Sequence, residues 1–155
     1  MAEIHTLALE AMREKGTADA AALAVRAAGG DVDGTFLNAH QAVIPTWRQR
    51  DFSSVPLGTP YKWRGRVYKL WQQHDASLQP DWTPDNAVSL WDVCHSTDPA
   101  HAVPYQDPQG VRGLWQENEC CIFDGHIWRC LVKDNAYGPA ALPERWEDLG
   151  TVSES

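Results

Sequence analysis

The sequence predicts an α+β chain: a short helical N-terminal segment, then two small antiparallel β units. Three observations carry this expectation. The first 46 residues hold no Trp, only Pro45 among the prolines, and many Ala. All 8 tryptophans and nine of the 10 prolines lie from Trp47 onward, the texture of short strands and turns. A glycine-centred hairpin pattern then occurs twice, sixty residues apart.

The elements follow in order. Ile4, Leu7, Ala8, Ala11 and Met12 recur at helical spacing, so residues 3–15 read as an amphipathic helix that Gly16 stops. Thr17 or Asp19 can cap a second helix running to about Ala28, ended by Gly29-Gly30. This Ala-rich helix can pack on its neighbour or on a partner subunit. Asp31-Val-Asp33-Gly34 opens like a calcium loop but lacks the later acidic ligands and the closing Glu. It reads as a helix N-cap before a third short stretch, Thr35 to Val43, closed by Pro45.

The repeat sits in the β-like part. Tyr61-Lys-Trp63-Arg-Gly65-Arg-Val67-Tyr68-Lys-Leu70 lines up with Cys121-Ile-Phe123-Asp-Gly125-His-Ile127-Trp128-Arg-Cys130. Arg64-Gly65 and Asp124-Gly125 fall where a tight hairpin turn wants Gly. Trp82-Thr-Pro84 aligns with Tyr137-Gly-Pro139, and Trp91 with Trp146. The first unit carries a loop five residues longer, between Gln72 and Asp81. Units this small are near the lower limit for independent folding, so a core built on indoles makes physical sense. Trp91 and Trp146 are the expected core plugs, with Tyr68 and Trp128 beside them. The expected boundaries are 1–46 for the helical segment and 47–94 for the first unit. A Pro-rich linker follows at 95–112, then the second unit at 113–150 and a tail at 151–155. His95 and His101 read as linker residues.

Composition narrows the function. With 13 Lys+Arg against 21 Asp+Glu the formal charge is -8, which argues against nucleic acid as the main partner. No apolar run reaches the roughly 18 residues that a membrane span needs. The start lacks the basic and apolar regions of a signal peptide, so synthesis in a cytoplasm without a secretion signal is the expectation. Residues 48–69 hold six basic residues against Asp51 alone. Such a run reads as a solvated strand face or as a surface for an acidic partner. Cys94, Cys120, Cys121 and Cys130 lack zinc-site spacing. Cys120 or Cys121 can bridge Cys130 across a hairpin, but free buried thiols are the favoured reading for a protein made in a cytoplasm. None of the six histidines forms HExxH, and there is no GxSxG or Gly-rich phosphate loop. No catalytic residue, metal or cofactor is therefore expected.

Taken together, Gly65-Arg-Val67-Tyr68-Lys-Leu70, His74, Asp81-Trp82-Thr-Pro84-Asp-Asn86 and Leu90-Trp91 resemble the small chitin-binding modules of carbohydrate-binding module families 5 and 12. Gly125 to Trp146, with Asn135, Tyr137, Pro139 and Pro143, resembles them more loosely. The resemblance spans roughly residues 55–150. It implies tandem chitin-binding-module-like units with an exposed aromatic platform in each, Trp82 in the first and Tyr137 in the second. Leu70 stands where many members have Cys, and Tyr137 where the platform Trp would be. Polar neighbours suited to sugar hydroxyls or an N-acetyl group are Asn86, Asp85 and Asn135, with His74 in the loop before Trp82. The arrangement, including Ile44-Pro-Thr-Trp47-Arg-Gln-Arg50-Asp-Phe52, also resembles small structural proteins of tailed bacteriophages.

The expectation is a non-enzymatic virion protein, made in the host cytoplasm, whose platforms contact a chitin-like or bacterial cell-surface polysaccharide. Its other partners would be virion proteins and further copies of itself, with the helical segment mounting or oligomerising it. The alternative is a tail, head-fibre or decoration component whose units touch only protein.

Overall fold

The computed structural model describes residues 21–28, 30, 32–110 and 112–152. The expected helix at 3–15 and the caps at Thr17, Asp19 and Asp31 lie outside these residues. The described part is mixed α+β: two helical pieces and two small sheets. Residues 21–28 are helical, and α1 spans Gly34–Ala39. The Asp33 carboxylate caps α1 by accepting from the Phe36 N–H at 2.9 Å.

The first sheet is antiparallel, with β1 (Pro60–Trp63), β2 (Arg66–Leu70) and β3 (Trp91–Val93) in that order. The second joins β4 (Val103–Pro104), β5 (Cys120–Phe123), β6 (His126–Cys130) and β7 (Trp146–Thr151). Here β4 runs parallel to β5, and the other pairs are antiparallel.

Both hairpins close on two residues with positive φ. They are 53° and 78° at Arg64-Gly65 and 52° and 74° at Asp124-Gly125, the type I′ geometry that matches strand twist. Tyr61 faces Tyr68 across the first hairpin, and Cys121 faces Trp128 across the second. The correspondence extends to single bonds. The Gly58 N–H reaches the Leu70 carbonyl at 2.7 Å, and the Asn118 N–H reaches that of Cys130 at 2.8 Å. In the loops, Ala87 N–H to Thr83 at 2.8 Å matches Leu142 N–H to Gly138 at 3.0 Å.

The expected linker at 95–112 is not one. Its strand β4 opens the second unit, as residues 45–47 open the first. The Trp47 N–H donates to the Lys62 carbonyl at 2.8 Å, and the Tyr105 N–H to that of Ile122 at 2.9 Å. Tyr105 is therefore the counterpart of Trp47. Trp47 stacks on Phe52 (6.3 Å) and meets Trp63 edge-on (5.1 Å). Tyr105 stacks on Trp115 (5.8 Å) and meets Phe123 edge-on (6.4 Å). The other linker residues are also folded in. His95 stacks on Trp115 at 3.5 Å and pairs with Glu119 at 3.2 Å, and Ser96 is fully buried. His101 ends the 3-10 turn Pro99–His101. The tail reading needs the same correction, since Thr151 belongs to β7 and the Val152 N–H binds the Gly125 carbonyl at 2.9 Å.

Each unit has a ring core. Phe52, Tyr61 and Trp91 meet edge to face at 5.2–5.6 Å in the first. In the second, Trp115 meets Trp146 at 5.6 Å. Cys121 takes the place of Tyr61 there, and Tyr105 adds an edge contact to Trp146 at 6.3 Å. Gly138 makes room, because a Cβ on it would lie 2.5 Å from the Tyr105 ring. Trp91, Trp146 and Tyr68 are buried as expected. Trp128 is only half-buried, at the edge of its cluster, with its indole N–H on the Phe123 carbonyl at 3.2 Å. Its counterpart Tyr68 faces the neighbouring unit, and among the described residues nothing covers Trp128 in that way.

The segment 21–46 packs on the back of the first sheet. Leu23, Ala27, Leu37 and Ile44 cluster with Val67 and Cys94. Lys62 Nζ donates to the Gln41 carbonyl at 3.0 Å. This part of the helical segment covers its own first unit. Between units, Val93 packs against both ring cores. Arg112 reaches back from the second unit to pair with Asp92. It also donates to the Val88 and Trp91 carbonyls at 2.9 and 3.2 Å and lies 4.6 Å over Trp71.

All four cysteines are free and buried. Burial pushes the thiols of Cys94 and Cys121 up to about 12 and that of Cys120 up to about 11. In the native protein at pH 8, a thiol-exchange reagent such as Ellman's should therefore leave all four untouched for minutes, and urea should release all four. Tyr105→Ala should cost about 3 kcal/mol in urea unfolding, a core-ring effect from a residue in a Pro-rich stretch. Tyr105→Phe should cost far less.

Candidate functional site

The loop after β2 carries Trp82. Pro84 is fully buried and pins the loop to the core. The backbone then turns twice, Trp82 N–H to Gln79 at 3.2 Å and Asn86 N–H to Thr83 at 3.0 Å. This leaves Trp82 38% exposed. In the second unit Pro139 is buried and Tyr137 is 51% exposed. The two rings occupy equivalent positions outside their own cores.

The loops differ in how they are seated. The Trp146 indole N–H donates to the Tyr137 carbonyl at 2.9 Å, whereas its counterpart, Trp91 Nε1, is buried without an acceptor among the described residues. Trp82 instead leans towards the His74 ring, 6.1 Å away. No cation lies over Trp82 among the described residues, whereas the Arg145 guanidinium sits 5.5 Å over Tyr137.

The expected polar partners divide. Asn86 is exposed and holds its loop weakly, its amide 3.4 Å from the Asp81 carbonyl. His74 is half-buried, with Nδ1 on the Gln72 carbonyl at 2.8 Å and its ring 5.3 and 5.9 Å from Phe52 and Trp91. It supports Trp82 from the core side rather than standing beside the exposed face. Asn135 is fully buried. Its Oδ1 accepts from the Tyr137 N–H at 3.0 Å, and its Nδ2 reaches Cys130 Sγ at 3.4 Å. Asn135 is thus a loop clamp sealed from any ligand, which corrects its assignment as a sugar contact. A buried amide is retained where it satisfies backbone, and an Asn two residues before a turn does this readily.

Two features escaped the sequence reading. Trp71 is 50% exposed, with Arg112 over it. It lies just past the end of β2 at Leu70, where the sequence carries no signal that separates an exposed ring from a buried one. Asp85, expected from the sequence as a polar neighbour of Trp82, gathers the Thr83 hydroxyl (2.6 Å), the Trp63 indole N–H (3.2 Å) and Arg64 (3.6 Å). The Thr83 hydrogen bond, ahead of Arg64, holds its carboxyl below the usual carboxylate range.

The second feature that the sequence did not show is a cleft of about 270 Å³ between the units. The first unit supplies Arg66, Tyr68 and Asp85, and the second supplies Pro104, Tyr105 and Gln106. Burial pushes both phenols up, so both stay protonated near neutrality. Among the described residues no three His, Cys, Asp or Glu side chains group to hold a metal, and no helix is long and apolar enough to cross a membrane. Compared with known proteins, the chain matches no family model and no curated protein sequence.

Asp85 gives the site a pH signature. A depressed folded pKa contributes stability that is present above the ordinary carboxylate value, roughly 3.9, and is lost as pH falls through the folded value. Tryptophan emission of the wild type should therefore show an acid transition below about pH 4, from loss of the Trp63–Asp85 contact. Asp85→Asn should abolish that step while leaving emission near pH 7 little changed.

Proposed function

We propose that the chain is a non-enzymatic carbohydrate-binding protein of a phage particle. Its two halves act as chitin-binding-module-like units, with Trp82 and Tyr137 as the platforms. One observation carries the reading. The same backbone frame holds an aromatic ring outside the core in both units. A flat indole or phenol at the surface takes the C–H face of a pyranose by apolar burial and weak C–H contacts. A single shallow platform binds weakly. Two platforms on a chain locked by Arg112 act together on one polymer, and many copies on a particle multiply the effect. Asn86 stands beside Trp82 to hydrogen-bond hydroxyl or N-acetyl groups. The polymer would be chitin-like or a bacterial cell-surface polysaccharide, and the remaining partners would be other virion proteins and further copies of this chain. The net charge of -8 disfavours nucleic acid.

A second reading has its own observation. Arg145 lies over Tyr137, and Trp71 and Leu57 are also about half exposed. Exposed aromatics beside an arginine are the usual anchors of protein interfaces. On this reading the protein is a structural virion component that touches no sugar.

Retention on insoluble chitin and on bacterial cell-wall glycan separates the two. The wild type should be retained. Trp82→Ala and Tyr137→Ala should each weaken retention by about tenfold, and the double variant should lose it. All three should keep the wild-type urea midpoint, because neither ring is in a core. Failure of the wild type to bind any glycan would leave the structural reading.

A further inference from the structure

We propose that the cleft between the units is a second carbohydrate subsite, one that takes a single neutral hydroxylated ring such as a hexose or N-acetylhexosamine. The choice of ligand class rests on the platform reading above; the cleft itself does not.

The cleft is concave where the platforms are flat, and its volume of about 270 Å³ suits one small ring rather than a drug-sized ligand. Its chemistry is mixed in a specific way. Arg66 and Asp85 bring opposite charges into the same space, so neither an anion nor a cation is favoured throughout. A hydroxyl both donates and accepts, and so suits both groups. Tyr68, Tyr105 and Pro104 supply apolar walls for a ring's C–H edge.

The polar groups also have capacity left. Asp85 holds Thr83, Trp63 and Arg64, and a carboxylate has about four acceptor sites. The Tyr105 hydroxyl donates to Asp107 at 2.8 Å, which leaves its lone pairs free to accept. The Gln106 side-chain amide makes no hydrogen bond among the described residues and offers both a donor and an acceptor.

The site exists only because the units are fixed together. Arg112 ties the second unit to Asp92 and to the carbonyls of Val88 and Trp91, while Val93 joins the two cores. The walls are therefore set before any ligand arrives, which lowers the ordering cost of binding. Asp85 belongs to the Trp82 loop, so a chain stacked on that platform has a route to lodge its end in the cleft.

The probe is N,N′-diacetylchitobiose, titrated against tryptophan emission with amide NMR shifts to locate it. The wild type should bind saturably and shift residues of β2, β4 and Gln106. Gln106→Trp, which fills the mouth from an exposed position, and Arg66→Ala should each weaken binding by about tenfold at unchanged urea midpoint. Arg48→Ala, at an exposed residue outside both the cleft and the platforms, should leave disaccharide affinity within about twofold. No saturable uptake, or uptake lost in Trp82→Ala but kept in Gln106→Trp, overturns the cleft assignment. Polymer retention that depends on Trp82 without disaccharide uptake sinks the cleft and spares the platforms. Disaccharide uptake sensitive to Gln106→Trp without polymer retention does the reverse.

Discussion

Rings meeting at right angles and in offset stacks hold each half of this chain together. Trp47, Phe52, Trp63 and Trp91 in the first unit correspond in place to Tyr105, Trp115, Phe123 and Trp146 in the second. A sheet of three or four short strands has too little aliphatic surface to make a core alone. Each ring buries a large area and adds about 0.5–1.5 kcal/mol per well-placed pair. At one position the two frames differ, and a neighbour fills the place. Where Tyr61 becomes Cys121, Tyr105 edges onto Trp146 and Gly138 clears its path.

Everything on the surface follows from this frame. Buried Pro84 and Pro139 anchor the loops to it, and the residue two positions earlier in each loop is carried outward. Arg112 then locks one frame to the other through Asp92 and the stack on Trp71. The charge run of residues 48–69 is used locally rather than as one face. Lys62 binds the Gln41 carbonyl, Arg64 pairs with Asp85, Arg50 lies over Phe52, and Arg66 lines the cleft. Arg48 is exposed.

The hairpins and plugs were legible in the sequence because their signals are local. Arg64-Gly65 and Asp124-Gly125 need no tertiary context to favour a two-residue turn, and Trp91 and Trp146 stand at the same place in both repeats. The start of the second unit was not legible. Val103-Pro104-Tyr105 shares little with Pro45-Thr46-Trp47 beyond one aromatic, and the loop that follows it is five residues longer, so proline content alone suggested a linker. Asn135 misled for another reason. An amide near a proposed platform suits a ligand, but whether it points to solvent or clamps a backbone N–H is decided by the fold. The burial of Trp128 depended on a neighbour that only Tyr68 has.

Covering of the two sheets is unequal. The back of the first sheet is roofed by residues 21–46; in the second sheet Ile127, the match of Val67, stays half-buried. The halves are thus not interchangeable cassettes. Excising the first without its upstream roof strands Val67 and Cys94 in water, and excising the second at residue 113 amputates an edge strand and a core ring. A dissection that respects the chemistry would cut near Cys94 and keep everything on either side.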